Sequence, residues 1–131
     1  RLTCLMLDLD HFKRINDQHG HPTGDAMLRQ FATLTQSCLR GSDVLARYGG
    51  EEFVILVTET GLEGATTTAE KVRRTIEDHC FQGSEGQALR MTTSIGVAEL
   101  LAEETPERVL ARADKALYEA KRTGRNRVVC A

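Results

Sequence analysis

Two β-rich runs lie on either side of a glycine-acid turn in the stretch 43–57, DVLARYGGEEFVILV. The first run covers Asp43–Tyr48, the second covers Phe53–Val57, and the turn between them is Gly49-Gly50-Glu51-Glu52. Paired glycines between two apolar runs are typical of a hairpin. The stretch therefore predicts two adjacent antiparallel strands that carry two carboxylates at their turn.

The residues outside this hairpin show alternating strand-like and helix-like patterns. Further strands are predicted at Leu2–Leu9, Thr93–Ala98 and Arg127–Cys130, and a loop at Gly83–Gly86. Helices are predicted from Phe12 to a stop at Gly20, then after the turn GHPTGD at about Asp25–Leu39, at about Leu62–Cys80, and from an N-cap at Thr105 to Gly124. The order β-α-α-β-β-α-β-α-β predicts an α+β fold, in which helices flank a central sheet rich in antiparallel pairs.

Length and composition favour one compact domain. The 131 residues are 40% hydrophobic and 27% charged, which suits a chain that forms a buried core without disulfide bonds or structural metals. The formal charge of -2 and the pI near 6.1 argue against a nucleic-acid partner and against direct membrane contact. A polyanionic ligand would then need a metal ion and a few local cations. The four cysteines form no CxxC pair and are predicted to be buried free thiols of a reducing compartment.

Carboxylates at two predicted loop positions are the first candidates for chemistry. Asp8 lies near the end of an apolar strand-like run, and Glu51 and Glu52 lie in the hairpin turn. Such side chains can meet at one rim of a sheet, where they repel each other unless a cation lies among them. Oxygen ligands suit Mg²⁺, which takes its remaining ligands from phosphate and water. The pattern indicates a nucleotide site, with Gly49 and Gly50 leaving room for a ligand; for the glycine pair alone, an ordinary hairpin is the alternative.

Four sequence blocks resemble those of the GGDEF family. They are RYGGEEF at Arg47–Phe53, which is similar to the family's GGEEF form, DLDHFKRINDQHGHPTGD at Asp8–Asp25, TSIGVA at Thr93–Ala98 and ADKALYEAKRTGRNRV at Ala113–Val128. Together they cover nearly the whole chain in the family's order. The resemblance implies the palm or nucleotidyl-cyclase fold, which is ferredoxin-like. It also implies the activity of a diguanylate cyclase, which joins two GTP molecules into cyclic di-GMP and releases pyrophosphate.

The resemblance further implies a role for individual residues. The metal ligands would be the carboxylates of Asp8 and Glu51 and the carbonyl of Leu9, with Glu52 beside them. The ion would be Mg²⁺, with Mn²⁺ as a substitute. For the substrate, Asn16 and Asp25 would bind the guanine edge, and Gly49 and Gly50 would lie against the nucleotide. The backbone around Phe12 and Lys13 would hold phosphates at a helix start. Lys121 and Arg125, at i, i+4 spacing, would reach the terminal phosphates.

The reaction implied by the family is attack of a ribose 3′-hydroxyl on the α-phosphorus of a second GTP. Two metal ions would stabilise the attacking and leaving oxygens. The catalytic carboxylates would be Asp8, Glu51 and Glu52, with Glu51 favoured to assist deprotonation of the hydroxyl. Metal coordination of the hydroxyl without a dedicated base is the alternative. Since each domain would hold one GTP, the active form is expected to be a homodimer.

Arg40 and Asp43 form an R-x-x-D sequence just before the glycine-acid turn. In the family this is the inhibitory site, where the two residues would bind the guanine and phosphate groups of the product cyclic di-GMP. The alternative is a structural pair between an arginine at a helix end and an aspartate at a strand start. A further acid, Asp10, is predicted to cap the first helix, with support of Asp8 as the alternative.

Several other polar residues are interpreted as structural. The four histidines show no spacing that suits zinc. Lys71, Arg73 and Arg74 are predicted to lie on a solvated helix face, with a contribution to the inhibitory site as the alternative. Tyr48 and Tyr118 are predicted to pack against the domain with a solvated hydroxyl.

Residues 1–131 are expected to form a single GGDEF-type catalytic domain, truncated at its N-terminus and cut from a larger sensor protein. The family's D-x-L-T-G-L-x-N-R stretch is not seen before the first predicted strand. We expect a cytoplasmic location in a bacterium, with a parent protein that could be anchored in a membrane. Two other functions stay open: a non-catalytic module that binds GTP or cyclic di-GMP, and a nucleotidyl cyclase or polymerase palm of another family.

Overall fold

Seven strands and four helices make up the computed structural model, which describes residues 1–131. In chain order they are β1 (Leu2–Leu9), α1 (Phe12–His19), α2 (His21–Ser37), β2 (Val44–Arg47), β3 (Glu52–Thr58), α3 (Leu62–Asp78), β4 (Phe81–Gln82), β5 (Ala88–Leu89), β6 (Thr93–Glu99), α4 (Pro106–Arg122) and β7 (Val128–Cys130). None of the helices combines the length and the apolar character that a membrane crossing requires.

Five of the strands form the central sheet, in the order β2-β3-β1-β6-β7. Every neighbouring pair is antiparallel except β6 and β7, which run parallel. The predicted α+β fold with an antiparallel-rich sheet and flanking helices is therefore confirmed. The hairpin predicted around the glycine-acid turn is the β2–β3 pair.

The two faces of β1 belong to different hydrophobic clusters, because successive side chains of a strand point to opposite sides of the sheet. Leu5 and Leu7 pack in the larger cluster with residues of α1, α2 and α3. Cys4 and Met6 pack in the smaller cluster with residues of α4. Asp8 continues the series of Cys4 and Met6, so its side chain lies on the face that α4 covers.

α4 approaches the sheet very closely at Gly96 of β6. A Cβ atom at Gly96 would lie 2.1 Å from the carbonyl oxygen of Ala113 and 2.3 Å from the amide nitrogen of Leu117. These atoms belong to the backbone of α4 and cannot rotate away, so the position requires glycine. The predicted N-cap is confirmed, because Oγ1 of Thr105 accepts a hydrogen bond from the backbone N–H of Arg108 at 3.3 Å.

Some predicted element boundaries were wrong. α2 begins at His21 rather than at Asp25, because the predicted turn GHPTGD contains a proline that fits the first helical positions. The β4–β5 hairpin around the predicted loop Gly83–Gly86 was missed, since strands of two residues carry no periodicity. α3 ends at Asp78, before Cys80.

All four cysteines are free thiols, as predicted, but they are not all buried. Cys4 lies inside β1, and burial raises the pKa of its thiol to about 11. Cys38 is half-buried, whereas Cys80 and Cys130 are exposed. The two exposed cysteines follow the end of α3 and end the edge strand β7, where fewer residues cover them.

Candidate active site

Asp8 is a buried carboxylate near the end of the central strand. Its side chain is 6% exposed and accepts a hydrogen bond at Oδ2 from the Lys121 ammonium, while its Oδ1 has no hydrogen-bond partner. Burial raises the pKa of Asp8 to about 6; the Lys121 ammonium opposes this rise and the Glu51 carboxylate adds to it. A buried carboxylate oxygen without a partner is uncommon in folded proteins. It marks a place where a cation can bind.

The pairing of β1 with β3 brings Asp8 next to Glu51 and Glu52, as predicted. Asp8 lies opposite Glu52 in the register, and the Leu9 N–H donates to the Glu51 carbonyl at 3.4 Å. Directly opposed residues of a sheet share a face, so Asp8 and Glu52 point to the same side. The Glu51 carboxylate lies close enough to affect the pKa of Asp8.

A pocket of about 590 Å³ opens beside Glu51. Its lining includes Phe12 and Lys13 at the start of α1, and Arg125 after the end of α4. The first backbone N–H groups of a helix have no partner within the helix and attract anions. The pocket therefore has an acidic side and a cationic side, which suits phosphates that carry a metal ion.

The carboxylates of Asp8 and Glu51 fit a divalent cation with oxygen ligands. The unpartnered Oδ1 of Asp8 is a ligand atom that nothing else in the protein satisfies. No three His, Cys, Asp or Glu side chains converge on one point by themselves. Mg²⁺ usually takes one or two protein carboxylates and completes its shell with phosphate oxygens and water. Two carboxylates beside a pocket of this size match that coordination, because the pocket has room for the phosphates and the water.

The glycine-acid turn is held by its own backbone and by Arg47. The carbonyl of Glu52 accepts hydrogen bonds from the N–H groups of Tyr48 and Gly49 at 2.8 and 3.2 Å. The Arg47 guanidinium donates to the carbonyls of Gly49 and Gly50 at 3.2 and 2.5 Å. Neither glycine has a positive φ, so the backbone conformation is not the reason why glycine occupies these two positions. A Cβ atom at Gly50 would meet no atom within 4 Å, which leaves the room for a ligand that the sequence analysis expects.

Asn16 and Asp25 lie on the neighbouring helices α1 and α2. A Cβ atom at Gly24 would lie 1.9 Å from Oδ1 of Asn16, so the glycine makes room for the amide. That oxygen is buried and has no hydrogen-bond partner. Asp25 is exposed and lines a second pocket, of about 520 Å³, together with Leu28 and Phe53. Polar groups beside an apolar surface suit a flat heterocyclic base.

Lys121 and Arg125 reach the site by different routes. Lys121 lies on α4 and binds Asp8, a pairing that no sequence pattern indicates. Arg125 lies beyond the end of α4 with φ 63°, and its Nη1 donates to the Lys121 carbonyl at 3.1 Å. The expectation that helical i, i+4 spacing aligns the two cations was therefore wrong. The chain turns at Gly124 before Arg125 is placed.

Asp10 does not cap α1, contrary to the prediction. The N-cap position is His11, with φ 57° and no capping side chain. The buried Asp10 carboxylate accepts hydrogen bonds from the Thr92 and Ser94 hydroxyls, both at 2.7 Å, and from the Asn126 N–H at 3.0 Å. Asp10 therefore joins β6 to the connection between α4 and β7.

Arg40 and Asp43 form an ion pair beside β3, with Nη2 and Oδ1 3.3 Å apart. The backbone N–H groups of Arg40 and Thr58 also donate to the Asp43 carboxylate, at 3.0 and 3.2 Å. Burial opposes ionisation of Asp43, but these hydrogen bonds and the guanidinium hold its pKa below the usual value. The Arg40 side chain is 58% exposed. The contacts match the structural alternative, and the inhibitory role stays a prediction.

Two interpretations of other polar residues were wrong in part. Lys71 and Arg74 are exposed as predicted, but the Arg73 side chain is only 15% exposed and pairs with Glu70 and Glu77 on α3. Tyr48 and Tyr118 are 60% and 64% exposed, so they pack against the domain much less than expected. A tyrosine in a sequence carries no signal that separates these two outcomes.

An antiparallel-rich sheet with helices on both faces and acidic groups at the end of its central strand places the chain in the α+β class of palm and nucleotidyl-cyclase domains. Within that class, the family described as "Diguanylate cyclase, GGDEF domain" matches residues 1–127. The chain belongs to the GGDEF-domain family.

Individual relatives agree with this assignment. Diguanylate cyclase A of Treponema denticola is 43% identical over 128 residues, which are 97% of this chain and 34% of that relative. The response regulator PleD of Caulobacter vibrioides is 44% identical over 130 residues, which are 98% of this chain and 29% of that relative. The crystal structure of the GGDEF domain of DgcB from Caulobacter crescentus in complex with c-di-GMP has a TM-score of 0.94 at 36% identity, over 98% of this chain and 77% of that chain. The chain thus spans about a third of the length of the curated relatives it matches.

Proposed function

We propose that this domain condenses two GTP molecules into cyclic di-GMP and releases pyrophosphate. The observation that carries the proposal is the buried, unpartnered Oδ1 of Asp8 next to Glu51, with Lys121 and Arg125 at the same end of the sheet. Family membership and the names of the curated relatives support the same reaction.

Asp8, Glu51 and the Leu9 carbonyl would hold a divalent metal, Mg²⁺ or Mn²⁺, with Glu52 on the same side of the sheet. When bound, such a metal neutralises phosphate charge and lowers the pKa of a coordinated hydroxyl. Glu51 would accept the proton of the attacking ribose 3′-hydroxyl; its position next to Asp8 and in the lining of the pocket supports this role.

The cationic groups of the chain act on the phosphates. The N–H groups at Phe12 and Lys13 would hold them at the start of α1. Lys121 and Arg125 would neutralise the β- and γ-phosphates, where charge builds up as pyrophosphate leaves. Arg125 lines the same pocket as Glu51, and Lys121 pairs with Asp8 next to Glu51, so both cations lie near the proposed proton acceptor.

Asn16 and Asp25 would select guanine. A carboxylate can accept hydrogen bonds from both N1–H and the exocyclic amine of guanine, and adenine has no N1–H to donate. Leu28 and Phe53 would supply the apolar surface under the base, and Gly49 and Gly50 the room for the rest of the nucleotide.

Dimerisation and product inhibition belong to the same proposal. One domain holds one GTP, so two phosphodiester bonds between two nucleotides need two domains face to face. The largely exposed Arg40 guanidinium donates from Nε and Nη2 to Asp43, Thr58 and Thr60, and its Nη1 would bind the guanine edge or a phosphate of cyclic di-GMP. We also propose a cytoplasmic location, where GTP is made and four free thiols stay reduced.

Turnover tests the reaction directly. Protein shown by light scattering to be dimeric is incubated with GTP and Mg²⁺, and cyclic di-GMP and pyrophosphate are quantified. Glu51→Gln is expected to lower the rate at least 10²-fold, whereas Glu85→Gln, at an exposed loop position, is the matched control and keeps it. Absence of product from dimeric wild-type protein would refute the proposed activity and favour a non-catalytic binding module.

Calorimetry with cyclic di-GMP tests the inhibitory site separately. Arg40→Ala is expected to weaken product binding about tenfold, because a charged hydrogen bond to the product is lost. Arg108→Ala removes another exposed arginine, on α4, and serves as the control. Equal product affinity in both variants would contradict the role of Arg40 and leave the condensation reaction untouched.

A further inference from the structure

The connection between α4 and β7 adopts a backbone that its surroundings must hold in place. Gly124, Arg125 and Asn126 have φ values of 134°, 63° and 47°. Two of these three consecutive residues are not glycine, and the left-handed region is unfavourable for a side chain, although asparagine tolerates it better than arginine does. Such a conformation persists only where neighbouring contacts determine it.

The first of these contacts comes from Asp10. Its carboxylate accepts the Asn126 N–H at 3.0 Å and is itself oriented by the Thr92 and Ser94 hydroxyls, both at 2.7 Å. The Asp10 residue is 5% exposed. A buried carboxylate is stable only when its oxygens are hydrogen-bonded, and none of these partners lines the pocket beside Glu51.

The second contact is made by the side chain of Asn126. Its Oδ1 accepts from Nη1 of Arg73 at 3.0 Å, and its Nδ2 donates to Oε2 of Glu77 at 2.5 Å. Arg73 is held in turn by Glu70 and Glu77 on the same helix, at 3.1 and 3.4 Å. The connection is thus attached to β1 and β6 through Asp10 and to α3 through Arg73.

Arg125 directly precedes Asn126 in the chain and lines the pocket that contains Glu51 and Lys13. We propose that Asp10, Asn126 and Arg73 are positioning residues, which hold the α4–β7 connection so that Arg125 faces the triphosphate. None of the three lines that pocket. They act through Arg125, and the inference rests on the proposed function for the identity of the ligand.

Nucleotide affinities can separate positioning from simple stabilisation. GTP and GMP are titrated in Mg²⁺ against the wild type and Asn126→Ala. The variant is expected to bind GTP about tenfold more weakly, since one charged phosphate contact is lost, and to bind GMP unchanged, because GMP lacks the β- and γ-phosphates. Asn126→Gly, which tolerates the backbone conformation and keeps the N–H toward Asp10, is expected to lose less. Thr123→Ala, in the same segment, is the control and changes neither affinity.

A second pair of variants covers the case in which Asn126→Ala does not fold. Arg73→Ala is expected to weaken GTP binding and not GMP binding, and Arg73→Lys, which keeps a donor toward Asn126, is expected to recover part of the loss. A purely structural role would lower both affinities together and would overturn the inference.

Arg125→Ala distinguishes failure of the inference from failure of the proposed function. If Arg125→Ala removes the preference for GTP over GMP while the Asn126 and Arg73 variants keep it, the positioning role is wrong and the phosphate-binding role stands. If the wild type itself shows no preference for GTP over GMP, the assignment of Arg125 to the phosphates is wrong, and the positioning role falls with it.

Discussion

Gly96→Ala places a methyl group where the backbone of α4 touches the sheet. The added Cβ would lie 2.1 Å from the Ala113 carbonyl oxygen and 2.3 Å from the Leu117 amide nitrogen. Non-bonded heavy atoms are comfortable at roughly 3.5 Å, so α4 would have to withdraw by roughly 1 Å. Both obstructing atoms are backbone, and no side-chain rotation can relieve the clash.

The expected cost follows from this displacement. Overpacking a core costs about 1–3 kcal/mol, and a clash with backbone belongs at the upper end, about 3 kcal/mol. For a chain of this length that corresponds to a fall in Tm of roughly 10 °C. The shift also moves Lys121 away from Asp8. Because a 1 Å misplacement of catalytic groups can cost about 10²-fold in rate, product formation should fall by a similar factor.

The assay combines thermal denaturation with cyclic di-GMP formation. Gly41→Ala is the matched control, because a Cβ atom there meets nothing within 4 Å and its φ is not positive. Equal Tm values for Gly96→Ala and Gly41→Ala would refute the close approach of α4. A lower Tm with an unchanged rate would instead show that the site does not depend on where α4 lies.

Three further outcomes are expected. Asp8→Asn should abolish product formation yet raise the free energy of unfolding by about 2–3 kcal/mol at pH 8 without divalent metal. The reason is that burial raises the pKa of Asp8 to about 6, so the wild type loses stability as the pH rises through that value. Urea denaturation should show that the gain shrinks toward pH 4, and a variant less stable than the wild type at pH 8 would contradict this prediction. Asp43→Asn should lower the free energy of unfolding by about 1–2 kcal/mol at pH 7, and this difference from the wild type should disappear in acid. The pKa of Asp43 is held below the usual carboxyl value, so its stabilising effect is lost as the pH falls through that lowered pKa. A difference independent of pH would show that the charge of Asp43 is not what stabilises the fold. Thr105→Ala should lower the free energy of unfolding by about 1 kcal/mol through loss of the α4 cap, and Thr105→Ser should lower it much less, as measured by chemical denaturation. Equal losses in the two variants would exclude the Thr105 hydroxyl as the cause.

Most of the order of strands and helices could be predicted because its signals are local, but the two-residue strands β4 and β5 were missed. Thr105 and the proline after it mark the start of α4, and Gly20 ends α1, as the sequence predicts. The start of α2 could not be predicted as well, since the glycines and proline of 20–24 favour a turn and a helix start about equally. Tertiary packing decided between them: Gly24 is buried against Asn16, which requires a helical backbone at that point.

The meeting of Asp8 and Glu51 could be predicted from strand ends and turns, but their surroundings could not. The pairing of Lys121 with Asp8 joins residues far apart in the chain, and it depends on how close α4 lies to the sheet. The partners of Asp10 depend on the same packing. A pattern of residue types shows that carboxylates and cations are present, whereas their pairing follows from distances that only the folded chain defines.

The position of β1 in the sheet also determines when the domain can become complete. β1 is the first of the seven strands, yet one of its partners is β6. Thr3 can pair with Glu99, and Leu9 with Thr93, only after the chain has been synthesised as far as β6. Contacts this distant in sequence form slowly, and until they form only the edge of β1 that faces β3 is paired, which leaves its other edge open to aggregation. Asp8 shares this delay, because the α4 residues that cover it are made later still. During synthesis, then, an incomplete chain has an unpaired edge on its apolar first strand and no α4 to cover Asp8.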